Sequence, residues 1–152
     1  MKIEKIDHIH VVIKDLDKAV KFFSELLDTT FSEVLSSPPE AEGGFGIKVS
    51  VCDLNGVGLE LIAPYDPDSL AAKTLKRRGE GIWAISIKVP NIDEAIAEVE
   101  SRGLRVIKRI EVGKLKEAHI HPKDTFGIMI ELCEYKAQNP GFVQVLGKGY
   151  AE

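Results

Sequence analysis

Residues 3–28, IEKIDHIHVVIKDLDKAVKFFSELLD, combine a β-strand and an α-helix, and this pair decides the fold. The first part is rich in β-branched residues that alternate around His8 and His10, which is typical of a strand. After Asp15 the apolar residues recur at helical spacing, and Asp15 is placed to cap the first helical turn. Three further strands are predicted downstream, at residues 29–37, 46–54 and 57–64. The first half therefore has the predicted order β-α-β-β-β.

The second half repeats this order. Residues 82–103, IWAISIKVPNIDEAIAEVESRG, again read as a strand and a helix, with Asn91 as the cap and Gly103 at the end. Aligning Asp15 with Asn91 matches the apolar helix positions and places Ala84 opposite His8. With five residues fewer, Glu60 in LEL falls on Glu131 in IEL. The matched order, caps and Glu positions indicate an internal duplication; two similar halves without a shared site are the alternative.

The chain is predicted to form one domain, residues 1–135. A length of 152 residues and a mass of 16.7 kDa suit one compact domain with a sizeable core. Its two modules span about residues 3–64 and 81–135, and residues 65–80 connect them through a short helix that ends in Lys76, Arg77 and Arg78. Residues 136–152 show little periodicity and are predicted to be a C-terminal tail on the surface or on a partner subunit.

Charge and apolar patterning bound the class of protein. The chain has 20 Lys and Arg and 24 Asp and Glu, which gives a net charge of −4. This net negative charge argues against general nucleic-acid binding. No apolar stretch reaches the length of a membrane span, and charges interrupt the first residues, so we expect a cytoplasmic protein without a membrane partner. Cys52 and Cys133 lie in apolar runs without CxxC spacing and are predicted to be buried strand residues.

Several motifs resemble one known superfamily. They are Asp7-His8-Ile9, LELIAP around Glu60, Gly79 to Ile82, His121-Pro122-Lys123, and GIMIEL at 127–132. Together they are similar to the vicinal oxygen chelate superfamily of glyoxalases, bleomycin-resistance proteins and dioxygenases. Over about residues 4–135 the chain looks most like its methylmalonyl-CoA epimerase family. The resemblance implies an α+β, glyoxalase-like fold, in which two tandem βαβββ modules form a cupped mixed sheet around one metal ion.

The resemblance also implies a set of metal ligands. His8, Glu60 and Glu131 match three of the family's four ligand positions, and the fourth falls on Ala84, which has no donor atom. His10 lies two residues from His8 on the same side of the predicted strand and is a possible substitute ligand. One or two His with two carboxylates suit a divalent ion such as Co, Mn, Ni or Zn. His119 is a weaker alternative, and His121 is expected to be structural.

By the same resemblance, the protein is expected to be a metal-dependent isomerase. Epimerising a carbon next to a thioester carbonyl needs a base on one face, an acid on the other, and stabilisation of the enolate oxygen. Glu60 and Glu131, related by the duplication, are expected to serve as the acid and base. A glyoxalase-like lyase, a dioxygenase and a non-catalytic small-molecule-binding protein are the alternatives.

Other residues are predicted to contact a small-molecule substrate, expected to be an acyl-CoA. Trp83 is predicted to be a pocket wall, with a plain core position as the equal alternative. The predicted cationic contacts for phosphate groups are Lys76, Arg77, Arg78 and Lys123, with solvated surface charge as the alternative. The Pro- and Gly-rich loop at 38–46 is a possible flap over the site, with Glu40 and Glu42 as a further acid or base. Exposed sheet edges and the tail favour a homodimer.

Overall fold

A computed structural model of the chain describes residues 1–112 and 114–136. The chain divides into two compact units. The continuous unit contains residues 10–83, and the split unit contains residues 1–9 together with the chain from residue 84 onward. The division falls inside two strands, so each unit is described by itself.

Within the described residues, eight strands and three α-helices follow one another in two rounds of the predicted order. The elements are β1 (Lys5–Val12), α1 (Leu16–Leu27), β2 (Leu35–Ser36), β3 (Ile47–Asp53), β4 (Gly58–Pro64), α2 (Leu70–Arg78), β5 (Gly81–Lys88), α3 (Ile92–Ser101), β6 (Val106–Val112), β7 (Leu115–Ile120) and β8 (Met129–Glu134). This order confirms the predicted α+β class with two βαβββ modules. No helix among the described residues is long and apolar enough to cross a membrane.

The continuous unit orders its strands β2-β3-β4-β1. β3 and β4 form the predicted hairpin, whose turn places Asn55 at φ 59° and Gly56 at φ 94°. Two successive positive φ values match the type I′ turn that suits the twist of a hairpin. Asp15 caps α1 by accepting a hydrogen bond from the Lys18 backbone N–H, as predicted.

The strand predicted at 29–37 is shorter than expected, because β2 contains only Leu35–Ser36. Ser32 contacts β3 in part through its side chain: its Oγ accepts a hydrogen bond from the Val51 N–H at 3.2 Å. The Ser50 hydroxyl in turn donates to the Ser32 carbonyl at 2.8 Å. These side-chain hydrogen bonds interrupt the regular ladder, which explains why the alternating sequence does not form a full strand.

The loop at 38–46 is anchored to the start of α2. The Glu40 carboxylate accepts a hydrogen bond from the Leu70 N–H at 3.0 Å, and the Asp66 carboxylate accepts one from the Glu40 N–H at 3.0 Å. The Tyr65 hydroxyl donates to the Ser37 carbonyl. Glu40 thus caps a helix, which competes with the acid or base role considered from the sequence.

The split unit orders its strands β1-β5-β8-β7-β6. β5 and β8 are parallel, and β7 is antiparallel to both β8 and β6. α3 begins at the predicted cap, because the Asn91 side chain accepts from the backbone N–H groups of Asp93 and Glu94. Its apolar face packs with strand residues in one buried cluster, which includes Ile92, Ala95, Ile96, Val99, Ala118, Ile120 and Leu132.

Equivalent contacts in the two units support the duplication. In the continuous unit the Ile13 N–H donates to the Ile62 carbonyl at 2.9 Å; in the split unit the Val89 N–H donates to the Cys133 carbonyl at the same distance. These are the pairs that the sequence alignment of the two halves makes equivalent. Leu61 and Leu132, which it also pairs, are both fully buried. Residues 137–152, most of the predicted tail, lie outside the described part of the chain.

We predict that Leu61→Ala and Leu132→Ala each lower the free energy of unfolding by about 2–5 kcal/mol, because each removes a fully buried side chain and leaves a cavity. Urea denaturation monitored by circular dichroism measures this loss. Ile107→Ala, on β6 and 44% exposed, is the control and should change stability little. A loss at only one of the two leucines would contradict their structural equivalence.

Candidate functional site

His8 lies on β1 in the split unit, with only 3% of its surface exposed. Its Nδ1 is 2.9 Å from Oδ2 of the neighbouring Asp7. An ionised carboxylate only accepts hydrogen bonds, so Nδ1 carries the proton and donates it to Asp7. In the neutral ring the lone pair is then on Nε2, which lies 3.4 Å from Oε1 of Glu131. Asp7 therefore sets the tautomer in which His8 can accept a proton or bind a cation.

Asp7 is fully buried, and its carboxylate makes several polar contacts. Burial by itself raises the pKa of its carboxyl group, but hydrogen bonds from His8 and Tyr135 outweigh burial and leave the pKa below its ordinary value. The Tyr135 hydroxyl donates to Oδ1, and Lys5 Nζ is 3.5 Å from the same oxygen. The carboxylate is thus ionised at neutral pH.

Glu131 is the second buried acid of the split unit, 3% exposed on β8. Its Oε2 lies 2.9 Å from Nε2 of His119, which is directly opposite it on β7. His119 is itself 7% exposed. One oxygen of Glu131 therefore faces His8 and the other faces His119, so a buried carboxylate has an imidazole at each end.

The continuous unit brings together three of the predicted site residues. His10 Nδ1 on β1 lies 3.7 Å from Oε2 of Glu60 on β4. The His10 ring is edge-on to Trp83, with 6.4 Å between ring centroids and 77° between planes. Trp83 packs against the core cluster of Ile47, Ile62 and Ala71. This unit thus contains a second largely buried His–Glu pair, beside an aromatic wall.

The predicted cationic contacts are all exposed. Lys76, Arg77 and Arg78 form the last turn of α2, and Lys123 lies in a short 3₁₀ helix, Pro122–Asp124. Lys76 also lines a groove of about 480 Å³ in the continuous unit, together with Lys14 and residues 64–67, 72 and 75. His121 caps the 3₁₀ helix, because its Nδ1 accepts a hydrogen bond from the Lys123 N–H, so the structural role expected for it fits the observed contact.

The two cysteines are buried and unpaired with each other. Burial raises the pKa of the Cys133 thiol far above its ordinary value, and the negative charges of Asp7 and Glu131 raise it further. Burial also raises the pKa of Cys52. Both residues are protonated at neutral pH, so neither is a nucleophilic thiolate.

The donor set of the split unit fits a divalent cation. Ala84, fully buried on β5 opposite Met129, contributes no donor atom. His8 does contribute one, because Asp7 leaves its Nε2 lone pair directed at Glu131, the carboxylate–imidazole arrangement that supports metal ligands. An imidazole nitrogen beside a buried carboxylate is suited to a borderline ion such as Zn or Co, or to Mn.

Sequence reasoning gave no role to Asp7 or Tyr135 and ranked His119 low. Asp7 had a signal, since it is an acidic residue in an apolar strand directly before His8. For His119 the sequence alone leaves open which side of the strand the ring faces. An ungapped alignment of the two halves on Glu60 and Glu131 pairs Ile120 with Val49, but the observed register places His119 opposite Glu131 and Val51 opposite Glu60. The connection between β7 and β8 is longer, because it contains the 3₁₀ helix, and this shifts the alignment.

Comparison with known proteins assigns the class. Residues 7–120 match the Glyoxalase/Bleomycin resistance protein/Dioxygenase superfamily, and the chain belongs to this superfamily. Among curated proteins it is similar to the human mitochondrial methylmalonyl-CoA epimerase, with 29% identity over 132 residues, which cover 84% of this chain and 72% of that protein.

Solved structures of similar proteins have the same fold. The methylmalonyl-CoA epimerase from Mycobacterium tuberculosis aligns with a TM-score of 0.74 and 26% identity, covering 90% of this chain and 91% of that one. A methylmalonyl-CoA epimerase in complex with methylmalonyl-CoA and NH4+ aligns with a TM-score of 0.75 and 27% identity over 91% and 99% of the chains. These similarities confirm the glyoxalase-like fold expected from the sequence.

We predict that metal-free protein shows His8 protonated at Nδ1 and unprotonated at Nε2, because Asp7 accepts the Nδ1 proton. Two-bond ¹H–¹⁵N correlation spectra of the imidazoles measure this. His121 is an internal control with the opposite tautomer, since its Nδ1 accepts from Lys123. In Asp7→Leu the His8 preference should be lost while the His121 signals stay in place. An Nε2-protonated His8 in the unaltered protein would contradict the assignment.

Proposed function

We propose that the protein is a metal-dependent isomerase that removes and returns the proton next to a thioester carbonyl, as a methylmalonyl-CoA epimerase does. The observation that supports it most is the buried Glu131 carboxylate between His8 and His119. A site of this kind provides acid–base groups and cation ligands in one place. The superfamily membership and the named relatives point in the same direction.

The proton next to a thioester carbonyl is weakly acidic, so its removal requires a base and stabilisation of the enolate oxygen. In this proposal His8 and Glu131 hold a divalent cation, which when bound supplies Lewis-acid stabilisation of that oxygen. The carboxylate of Glu131 has two oxygens, so one can contact the cation while the other exchanges a proton.

Glu60 is the second acid–base group in the proposal. Its side chain is 15% exposed and lies near His10, which can hold the carboxylate in place and exchange a proton with it. Trp83 beside His10 contributes an apolar wall that keeps water away from the reacting carbon. The internal duplication is the argument for proposing a pair of such carboxylates, since inversion at carbon requires two acid–base groups.

An acyl-CoA substrate is proposed from two observations. Structurally similar epimerases have been solved with methylmalonyl-CoA and with 2-nitronate-propionyl-CoA. In this chain Lys14 and Lys76 line one groove, where positive charge can bind phosphate groups. Arg77, Arg78 and Lys123 are further exposed cations proposed to contact the substrate. A homodimer and a cytoplasmic location remain predictions.

Non-catalytic binding of a small molecule is a second candidate function, and Ala84 is the observation that favours it. A ligand position without a donor weakens a metal site and with it the stabilisation of an enolate. A glyoxalase-like lyase or a dioxygenase of the same superfamily would also use His and Glu donors. Activity on an acyl-CoA separates these from the isomerase.

We predict that the protein, supplied with Co²⁺ or Mn²⁺, exchanges the α-proton of methylmalonyl-CoA for deuterium in deuterated water. Glu131→Gln and Glu60→Gln should each slow this exchange by about 10²- to 10⁴-fold, because each removes a proton-transfer group. Mass spectrometry of the recovered thioester measures deuterium uptake. Glu111→Gln, an exposed residue on β6, is the matched control and should retain the rate of the unaltered protein.

The outcomes separate the candidate functions. Tight binding of the thioester without exchange would favour the binding protein. Exchange that persists at the full rate in both Gln variants would reject their proposed roles while leaving the activity in place. Absence of both binding and exchange would reject an acyl-CoA substrate.

We also predict that Lys76→Ala raises KM for methylmalonyl-CoA several-fold while leaving KM for the pantetheine thioester unchanged, because the shorter thioester lacks the nucleotide phosphates. Lys21→Ala, on the exposed face of α1, is the control. Initial-rate measurements that give KM for both thioesters test this prediction. An equal change for both would show that Lys76 does not bind the nucleotide part.

A further inference from the structure

Tyr135 follows β8 directly, and its hydroxyl group donates a hydrogen bond to Oδ1 of Asp7 on β1. In the strand order of the split unit β5 lies between β1 and β8, so the two residues do not come from neighbouring strands. The Tyr135 ring is 4% exposed and belongs to a small buried cluster with Leu115 and Cys133. A phenol that is packed at the end of one strand therefore reaches a buried carboxylate on another.

A cation restrains the ring of Tyr135. Nζ of Lys88, the last residue of β5, lies over the ring, 4.1 Å from its centroid. The same ammonium group is 3.2 Å from the Glu4 carboxylate, and the Glu4 N–H donates to the Lys88 carbonyl at 2.8 Å. Because an ammonium is attracted to the electron-rich face of an aromatic ring, this contact opposes tilting of the phenol and keeps its hydroxyl directed at Asp7.

The two oxygens of Asp7 have different partners. Oδ2 lies 2.9 Å from Nδ1 of His8, whereas Oδ1 accepts from Tyr135 and lies 3.5 Å from Nζ of Lys5. An ammonium on a flexible stem attracts the carboxylate but does not fix its rotation. A rigid phenol at one oxygen and an imidazole at the other define the carboxylate plane, because each hydrogen bond is directional.

We propose that Tyr135 is a positioning residue, which acts through Asp7 to hold His8 with its proton on Nδ1 and with Nε2 towards Glu131. Without the hydroxyl group, the Asp7 carboxylate turns about its Cβ–Cγ bond towards Lys5, and its hydrogen bond with His8 weakens. The consequence for catalysis rests on the proposed function, in which His8 acts beside Glu131. The orientation of the ring itself depends on neither substrate nor cation.

The test compares Tyr135→Phe with the unaltered full-length protein, both metal-free, by two-bond ¹H–¹⁵N correlation spectra of the imidazoles. This substitution keeps the buried ring and removes only the hydroxyl group. The ratio of Nδ1-protonated to Nε2-protonated His8 should fall by at least about fivefold, because a hydrogen bond that holds the charged acceptor is lost. An unchanged ratio would overturn the proposal and leave Tyr135 with a packing role only.

Tyr65→Phe is the matched control for these spectra. It also removes a hydroxyl group that donates a hydrogen bond, here to the Ser37 carbonyl at 2.7 Å in the continuous unit. The His8 ratio should stay as in the unaltered protein. A fall of the same size in Tyr65→Phe would overturn the proposal, because it would show a general response to lost stability.

A second measurement covers the case in which Tyr135→Phe does not fold. In the unaltered protein the Tyr135 hydroxyl proton should give a resonance that exchanges slowly with water, because the group is buried and donates to Asp7. This resonance should disappear in Asp7→Leu. A hydroxyl resonance that persists in Asp7→Leu would overturn the proposal, because Asp7 would then not be its acceptor.

Deuterium uptake by methylmalonyl-CoA keeps this inference separate from the proposed function. Tyr135→Phe should lower kcat several-fold and leave KM unchanged, because the altered group acts through Asp7 and His8. Glu111→Gln again serves as the control and should keep both constants. A protein that takes up no deuterium would reject the proposed function, whereas the His8 ratio in Tyr135→Phe would still support or overturn the role of Tyr135.

Discussion

The burial of the Glu131 carboxylate is the constraint on which the chemistry of the split unit depends. A carboxylate that is 3% exposed needs partners close by, because an uncompensated buried charge costs several kcal/mol. His119 on β7 meets part of this need, with its Nε2 2.9 Å from Oε2, and His8 on β1 places its Nε2 3.4 Å from Oε1. The Asp7 carboxylate then fixes the His8 ring, and Tyr135 fixes Asp7. A single buried acid thus organises polar side chains on three strands.

Comparing the two modules shows where the duplicated halves have diverged. In the continuous unit the imidazole near Glu60 comes from the first strand of the module, as His10, and the β3 residue opposite Glu60 is Val51. In the split unit the first-strand residue beside Glu131 is Ser86, and the residue opposite it on β7 is His119. The imidazole partner has therefore changed flank while the Glu has kept its place on the last strand. Equivalent backbone hydrogen bonds show that the scaffold itself is retained.

Most of the fold could be predicted because its signals are local. Asp15 and Asn91 cap helices, Asn55-Gly56 closes a hairpin, and apolar spacing separates helix from strand. The side chains that surround Glu131 were harder to predict. Alternate residues of a strand point to opposite faces of the sheet, so the register decides whether His119 or its neighbours lie beside Glu131. A change of one residue in register would place the neighbours there instead. The 3₁₀ helix between β7 and β8 sets that register, and its effect on pairing has no local sequence signal.

The backbone fold and the donor side chains carry different information about function. The TM-scores of 0.74 and 0.75 to solved epimerases measure similarity of the backbone and not of the reacting side chains. Activity depends instead on which side chains reach the Glu on each last strand. An imidazole that approaches Glu131 from β7 rather than β5 presents its nitrogen to the opposite carboxylate oxygen from the one that faces His8. Substitutions at His8 and at His119 would therefore act on different oxygens of the same acid, and this difference depends on side chains that the backbone fold alone does not fix.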